Sequence, residues 1–85
     1  MTTKEIKLLR NIVERSLETD EEIEKLLEYN TSWFHANYFL CLGFSQKEVD
    51  MMLDNLYKED VVTKETDGTW KLTTFGIQTA ITIWG

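Results

Sequence analysis

Residues 61–72 predict a β-hairpin that interrupts an otherwise helical pattern. Two short runs rich in β-branched and aromatic side chains, 61–64 and 69–72, flank the pair Asp67-Gly68, which is typical of a tight hairpin turn. Apolar residues at helical spacing precede the first run and return after the second. The chain must therefore combine helices with a small sheet, and we predict an α+β, mostly helical fold.

Three copies of the Ser/Thr-x-x-Glu capping box mark the starts of helices. They begin at Thr2, Thr19 and Ser45, and each is followed by apolar residues three and four positions apart. Such a box satisfies backbone N–H groups that the first helical turn leaves without partners. We therefore predict helices at about 4–18, 20–29 and 45–59.

Residues 31–44 hold five of the ten aromatic side chains and no formal charge, apart from His35 when it is protonated. A helix that is apolar nearly all round is buried, or its second face is an interface. We predict a helix at about 32–42, ended by Gly43 in the left-handed conformation. Both readings, core alone and core with a partner surface, remain open at this level.

The last segment of the chain is predicted to be a helix at about 74–84. Thr73 or Thr74 can cap it, and Ile77, Ala80 and Trp84 follow at helical spacing. The β-branched residues near the C-terminus leave a terminal strand as the alternative.

The size and composition indicate one small domain over residues 1–85. A chain of 85 residues buries only about 60 to 65% of its unfolded surface, so it has little stability to spare. A single cysteine cannot form an internal disulfide, and the N-terminus runs into charged residues without the apolar segment of a signal peptide. With no apolar run of the roughly 18 to 20 residues that span a bilayer, we expect a soluble, cytoplasmic protein without membrane contact.

Enzymatic chemistry is not indicated by the residues present. His35 and Cys41 are the only histidine and cysteine, and six positions apart on a helix they would point to different sides. The four glycines are isolated, so there is no phosphate-binding loop, and the acidic run 20–22 diverges around a helix. We predict no catalytic residues, no metal, no cofactor and no small-molecule substrate.

A helix-turn-helix followed by a two-stranded wing and a C-terminal helix resembles the winged helix-turn-helix family. The stretch from Val49 to Gly76 is similar to the wing region of small MarR-like and PadR-like regulators: an apolar-x-x-Leu helix end, a valine strand, the Asp67-Gly68 turn, then Leu-Thr-x-x-Gly. The similarity covers about 30 residues, or about 50 if 32–42 is the positioning helix. Phe39 departs from the family pattern, which usually has a small residue four positions before Gly43.

The resemblance implies that residues 45–59 lie in a major groove and that the wing contacts a minor groove or phosphates. The first hypothesis is therefore a regulator of transcription that binds double-stranded DNA. Under this hypothesis and under the alternative below, we expect a homodimer whose subunits meet through helix one, the last helix or segment 31–44. Lys4, Lys7 and Arg15 share one broad arc of the first helix, and a solvated helix face is the simpler reading of them. The candidate DNA-binding residues are Gln46, Lys47, Asn55, Lys64 and Lys71.

The charge pattern supports an alternative, a winged helix that binds a protein. The net charge is −6, and residues 45–60 carry five acidic and two basic side chains. An acidic surface can also imitate DNA toward a basic protein, and aromatic residues are favoured in interface cores. The candidate partner-interface residues are Trp33, Phe34, Tyr38, Asp50, Asp54 and Trp84.

Overall fold

The computed structural model describes residues 1–17, 22–28 and 33–85. These residues form an α+β fold that is mostly helical, as predicted, with a small antiparallel sheet. The elements in chain order are α1 (Thr3–Ser16), the 3₁₀-helix η1 (Ile23–Leu27), β1 (Trp33–Phe34), the 3₁₀-helix η2 (Ala36–Leu42), α2 (Gln46–Lys58), β2 (Val62–Lys64), β3 (Trp70–Leu72) and α3 (Thr74–Trp84).

Helices α1 and α2 both begin with the predicted capping boxes. The Thr2 hydroxyl accepts a hydrogen bond from the Glu5 backbone N–H at 3.2 Å, and the Glu5 carboxylate accepts one from the Thr2 N–H at 2.9 Å. The corresponding pair of bonds between Ser45 and Glu48 measures 3.1 Å each. Helix α1 ends at Ser16, two residues short of the predicted limit.

Helix α3 confirms the prediction of a C-terminal helix and excludes the alternative of a strand. The Thr73 hydroxyl caps it by accepting a hydrogen bond from the Gly76 N–H at 2.9 Å. Ile77 and Ala80 lie three residues apart on one helical side and are buried in the core. Packing of that face outweighs the preference of the β-branched residues for extended structure.

The prediction of a helix at 32–42 is wrong at its start. Trp33 and Phe34 form strand β1, which pairs antiparallel with β3 through Trp33 opposite Lys71 and Phe34 opposite Trp70. Only Ala36–Leu42 is helical, as a 3₁₀-helix, and Gly43 ends it with a φ of +93° as predicted. An uncharged apolar run fits a buried strand as well as a buried helix, so its composition did not separate the two.

The predicted hairpin is present, but the sheet is larger than a two-stranded wing. Strands β2 and β3 pair antiparallel, with Val62 opposite Leu72 and Lys64 opposite Trp70. The turn between them contains Gly68 with a φ of +86°, a value that favours glycine. Because β1 adds to the free side of β3, the sheet has three strands in the order β1-β3-β2.

The predicted helix at 20–29 is described only in part. Its described portion is a five-residue 3₁₀-helix, η1, which buries Ile23 and Leu26. Most of the capping box that begins at Thr19 lies outside the described residues. Helix η1 packs mainly against α3.

The buried apolar side chains form one cluster to which every element contributes. The fully buried aromatic rings of Phe34 and Phe39 meet edge to face, with centroids 5.5 Å apart. The remaining members of the cluster are Leu8, Leu9, Ile12, Val13, Ile23, Leu26, Val49, Met52, Leu53, Leu56, Val61, Val62, Leu72, Ile77 and Ala80.

Gly76 lies where α3 passes the residue that leads into β2. A Cβ atom placed on Gly76 would stand 2.0 Å from the backbone oxygen of Val61. That oxygen is held by the Thr73 N–H at 3.1 Å, so it cannot move away alone. The close approach of α3 to the backbone of Val61 thus explains why the last residue of the Leu-Thr-x-x-Gly pattern is a glycine in this fold.

We expect Gly76→Ala to lower the free energy of unfolding by about 2–4 kcal/mol, because the helix must shift away from the sheet. A glycine-to-alanine change inside a helix otherwise gains up to about 1 kcal/mol, so the sign is diagnostic. Urea unfolding measures the effect, with Gln78→Ala on the exposed side of α3 as the control. Unchanged or increased stability of Gly76→Ala would contradict the close approach of α3 to Val61.

Candidate nucleic-acid or protein interface

Helix α2, the predicted recognition helix, presents a long outward face. Its apolar side is buried in the core, and its other side chains project from the domain. Met51, at the middle of this outward face, is 57% exposed. The exposed residues are Gln46, Lys47, Asp50, Met51, Asp54, Asn55, Tyr57 and Lys58.

The two acidic side chains of this face are bonded within the helix. Gln46 Nε2 donates to Asp50 Oδ1 at 3.0 Å, and Lys58 Nζ lies 3.0 Å from Asp54 Oδ2. Both pairs are four residues apart and exposed, so each contributes little to stability. Among the described residues, the Lys47 side chain has no acidic partner within ion-pair distance.

Asn55 does not stand beside the other predicted reading residues. Its Nδ2 donates to Glu5 Oε2 at 3.0 Å, which connects α2 to the start of α1. Nine helical positions separate it from Gln46, so the two lie on opposite edges of α2. Asn55 therefore holds two helices together, and nothing in the sequence around either Asn55 or Glu5 indicates that contact.

Lysines gather around the first turn of α2. Lys4 of α1 forms an ion pair with Glu48, and a groove of about 210 Å³ here is lined by Lys4, Lys7 and Glu48 together with the turn at Gly43. Lys47 lies in the same first turn of α2. The N-terminus of a helix itself favours anions.

Arg15 does not belong to this group of lysines. It is eleven residues beyond Lys4, about 16 Å along α1, and its guanidinium stacks 4.1 Å from the centre of the Tyr38 ring. The arc of bases predicted for the first helix is therefore divided between its two ends.

The two wing lysines point to opposite faces of the sheet. Lys64 lies on the side of Trp70, with its Nζ 5.5 Å from the ring centre. Lys71 is half-buried on the other side, between Trp33 and Thr63. A ligand that meets one face of the β2–β3 hairpin therefore contacts only one of the two lysines.

An open groove of about 440 Å³ lies on the outer face of the sheet. Its walls include Trp33, His35 and Lys71, and also the carboxylates of Glu65 and Asp67. Hydrogen bonds from the Thr69 hydroxyl and N–H hold the pKa of Asp67 below its usual value. The groove thus carries both signs of charge.

The candidate partner residues are not all accessible. Trp33 is 50% exposed and Tyr38 is 39% exposed, whereas Phe34 is fully buried, so its assignment to a partner surface is wrong. Phe34 points into the core because β1 alternates its side chains between the two faces of the sheet. Trp84 is half-buried against the core, with the Arg10 guanidinium 5.3 Å from its ring centre, and it offers less surface than expected.

The negative charge of the chain is concentrated in one segment. Residues 14–28 carry seven acidic and two basic side chains, so they account for five of the six net charges. The described part of this segment includes η1, which packs against α3, whereas α2 packs against η2, β2 and α1. Residues 45–60, which include α2, add a further net charge of −3, the β2–β3 hairpin is balanced, and residues 1–13 contribute +2. The region of α2 and the hairpin is therefore acidic, but less so than residues 14–28.

Comparison with known proteins adds no relative: no family model matches the chain, and neither a curated protein nor a solved structure matches it significantly. None of the described helices is both long and apolar enough to cross a membrane. Within residues 1–17, 22–28 and 33–85, no three His, Cys, Asp or Glu side chains are grouped as a metal site requires.

The ionisation of Glu48 makes the free energy of unfolding depend on pH. The hydrogen bond from Lys4, followed by those from the backbone and hydroxyl of Ser45, lowers its pKa from 4.5 to about 2. The folded protein thus favours the carboxylate, and this stabilisation is present above pH 4.5 and is lost as the pH falls toward 2.

We expect Glu48→Gln to flatten the loss of stability between pH 4.5 and about 2, the window set by this pKa shift. Urea unfolding at several pH values measures the slope. Glu14→Gln removes an exposed carboxylate that pairs with Arg10 within α1 and is the control. An equal slope in wild type and Glu48→Gln would show that the Lys4–Glu48 contact does not form in solution.

Proposed function

We propose that this chain is a winged-helix domain that regulates transcription by binding double-stranded DNA, without enzymatic activity. The observation that carries the proposal is the placement of Lys4, Lys7 and Lys47 around the exposed first turn of α2. Winged-helix folds are used most often to bind DNA, so DNA binding is the first expectation. Because a fold alone does not define a function, the evidence has to come from the residues on the surface.

The arrangement of η2, α2 and the hairpin supports the winged-helix assignment. Helices η2 and α2 pack together and are joined by three residues, Gly43, Phe44 and Ser45, a length and composition typical of a helix-turn-helix. The hairpin of β2 and β3 follows α2 after three residues. In this assignment α2 is the recognition helix and the hairpin is the wing.

The net charge of −6 does not by itself oppose this function, because residues 14–28 carry a net charge of −5, whereas the group of Lys4, Lys7, Lys47 and Glu48 at the first turn of α2 carries +2. A local surface, rather than the total charge, determines the field that a DNA phosphate meets at short range. Lys4, Lys7 and Lys47 with one wing lysine make about four phosphate contacts, for which the logarithmic salt slope is about −4. Binding by a single copy is then weak and falls roughly 200-fold between about 50 and 200 mM salt.

The test compares Lys47→Glu with Lys25→Glu in fluorescence anisotropy of a labelled random-sequence duplex. Both variants change the net charge equally, but Lys25 lies on η1, within the acidic segment. We expect Lys47→Glu to weaken binding about tenfold or more and to reduce the salt slope by about 1, and Lys25→Glu to change affinity less than about twofold. Equal effects of the two variants would contradict a role for the first turn of α2.

A second candidate function, binding of a protein through α2, is favoured by Met51. An apolar side chain that is 57% exposed at the centre of the outward face gains nothing from phosphates. Methionine and aromatic residues are enriched in protein interfaces, and Tyr57 on the same helix is 49% exposed. Asp50 and Asp54 would then face basic groups of the partner.

Asp50→Asn combined with Asp54→Asn separates the two functions. If α2 meets DNA, removing two charges that face phosphates tightens duplex binding about threefold to tenfold. Glu24→Gln with Glu28→Gln removes the same charge from exposed positions at η1 and is the control. Absence of duplex binding at low salt in both wild type and the Asp50/Asp54 variant would favour protein binding, with Met51→Ala as the variant to test against a recovered partner.

A further inference from the structure

The outward side of α3 is a surface without charge. Residues 72–85 contain no Asp, Glu, Lys or Arg, in a chain of which 28% of residues are charged. Phe75 is 56% exposed and Ile83 is 41% exposed on the side of α3 that faces away from the core. We call this surface the α3 strip, and its members are Phe75, Gln78, Thr79, Thr82 and Ile83.

The threonines of the α3 strip present methyl groups rather than free hydroxyls. Thr79 Oγ1 donates to the Phe75 backbone oxygen at 2.8 Å, and Thr82 Oγ1 donates to the Gln78 oxygen at 3.0 Å. Covering a hydroxyl costs free energy mainly when its hydrogen bond to water is lost without replacement. Because these hydroxyls are already bonded within the helix, little is lost when a partner covers them.

The α3 strip is symmetric about Thr79. Phe75 and Ile83 stand four residues before and after it, so the three side chains lie along one line of the helix. When a second α3 lies antiparallel on a two-fold axis beside Thr79, Phe75 of each copy meets Ile83 of the other. The small central residue allows the two helices to approach, and the large residues fill both ends, which is the requirement for an isologous contact.

Charge selects a second copy of this chain as the occupant. Two copies with a net charge of −6 repel each other wherever their acidic surfaces face, and a charge-free strip is where they approach without that cost. A strongly charged partner finds no complementary group on the strip. Leu40 and Leu42, which are also exposed, lie on η2 beside α2, where a second copy would cover the proposed recognition surface.

We propose that the α3 strip is the interface of an antiparallel homodimer. A groove of about 390 Å³, lined by Phe75, Thr79, Met1, Glu59 and Val61, continues the strip at its N-terminal end and receives Ile83 of the second copy. Eleven helical residues extend about 16 Å, so the contact covers less than the roughly 1,200 Å² that stable complexes bury. The dimer is therefore reversible, with a dissociation constant in the micromolar range or above.

The first measurement is sedimentation equilibrium of wild type, Phe75→Glu and Thr74→Glu, from about 10 µM to about 1 mM protein. Phe75→Glu puts a carboxylate in the contact twice, by symmetry, and we expect it to weaken association at least about 30-fold. Thr74→Glu adds the same charge one residue away, off the strip, and leaves association within about threefold of wild type. Glutamate suits the first turn of a helix, so both variants retain the fold, which circular dichroism checks.

A pair of variants with opposite charges tests whether the partner is a second copy of this chain and whether the two α3 helices are antiparallel. Ile83→Lys alone should weaken association as Phe75→Glu does. Mixed together, the two variants form a heterodimer in which the introduced carboxylate of one chain meets the introduced ammonium group of the other at one end. The opposite end keeps the original contact between Phe75 and Ile83. We expect the mixture to associate at least about tenfold more tightly than either variant alone.

Three results would overturn the proposal. Wild type that remains monomeric over the whole concentration range excludes a dimer of this strength. A dimer that Phe75→Glu and Thr74→Glu weaken equally lies on another surface. Loss of association in both single variants without recovery in their mixture excludes the antiparallel pairing. None of these results depends on whether the chain binds DNA.

Discussion

Two glutamates orient helices α1 and α2, because each caps its own helix and bonds to the other one. Glu5 caps α1 and accepts a hydrogen bond from Asn55 of α2, while Glu48 caps α2 and pairs with Lys4 of α1. Each carboxylate is already fixed by the hydrogen bonds that cap its own helix. Its contact with the other helix therefore costs little further side-chain entropy. The crossing of α1 and α2 that results leaves the outward face and first turn of α2 uncovered, and any function of α2 depends on it.

Charged side chains are distributed unevenly over the surface of this domain, and their distribution is more informative than the net charge. Residues 14–28 carry a net charge of −5, α2 carries −1 with Asp54 paired to Lys58 inside the helix, and α3 has no charged side chain. At physiological salt a charge acts over about 8 Å, so these surfaces behave almost independently. One small acidic chain can in this way combine a surface for a polyanion or a protein with another for a second copy of itself.

Local interactions explain which parts of the fold were predictable. The capping boxes at Thr2 and Ser45, the glycine that ends η2 and the Asp67-Gly68 turn all involve residues close in the chain, and the structure confirms each of them. Strand β1 was missed because Trp33 pairs with Lys71, far along the chain, and no local spacing encodes that pairing. Phe34 was misplaced for the same reason, since its burial follows from the strand that it occupies.

The sequence by itself determined where the helices α1, α2 and α3 begin, where the hairpin turns and how the charge is distributed along the chain, because these depend on neighbouring residues. Only the tertiary structure decided that Asn55 is tied to Glu5, that Lys64 and Lys71 point to opposite faces, and that Met51 stands at the centre of an exposed helix face. Such relations arise when distant segments pack around one core, and the order of residues along the chain does not contain the distances between them.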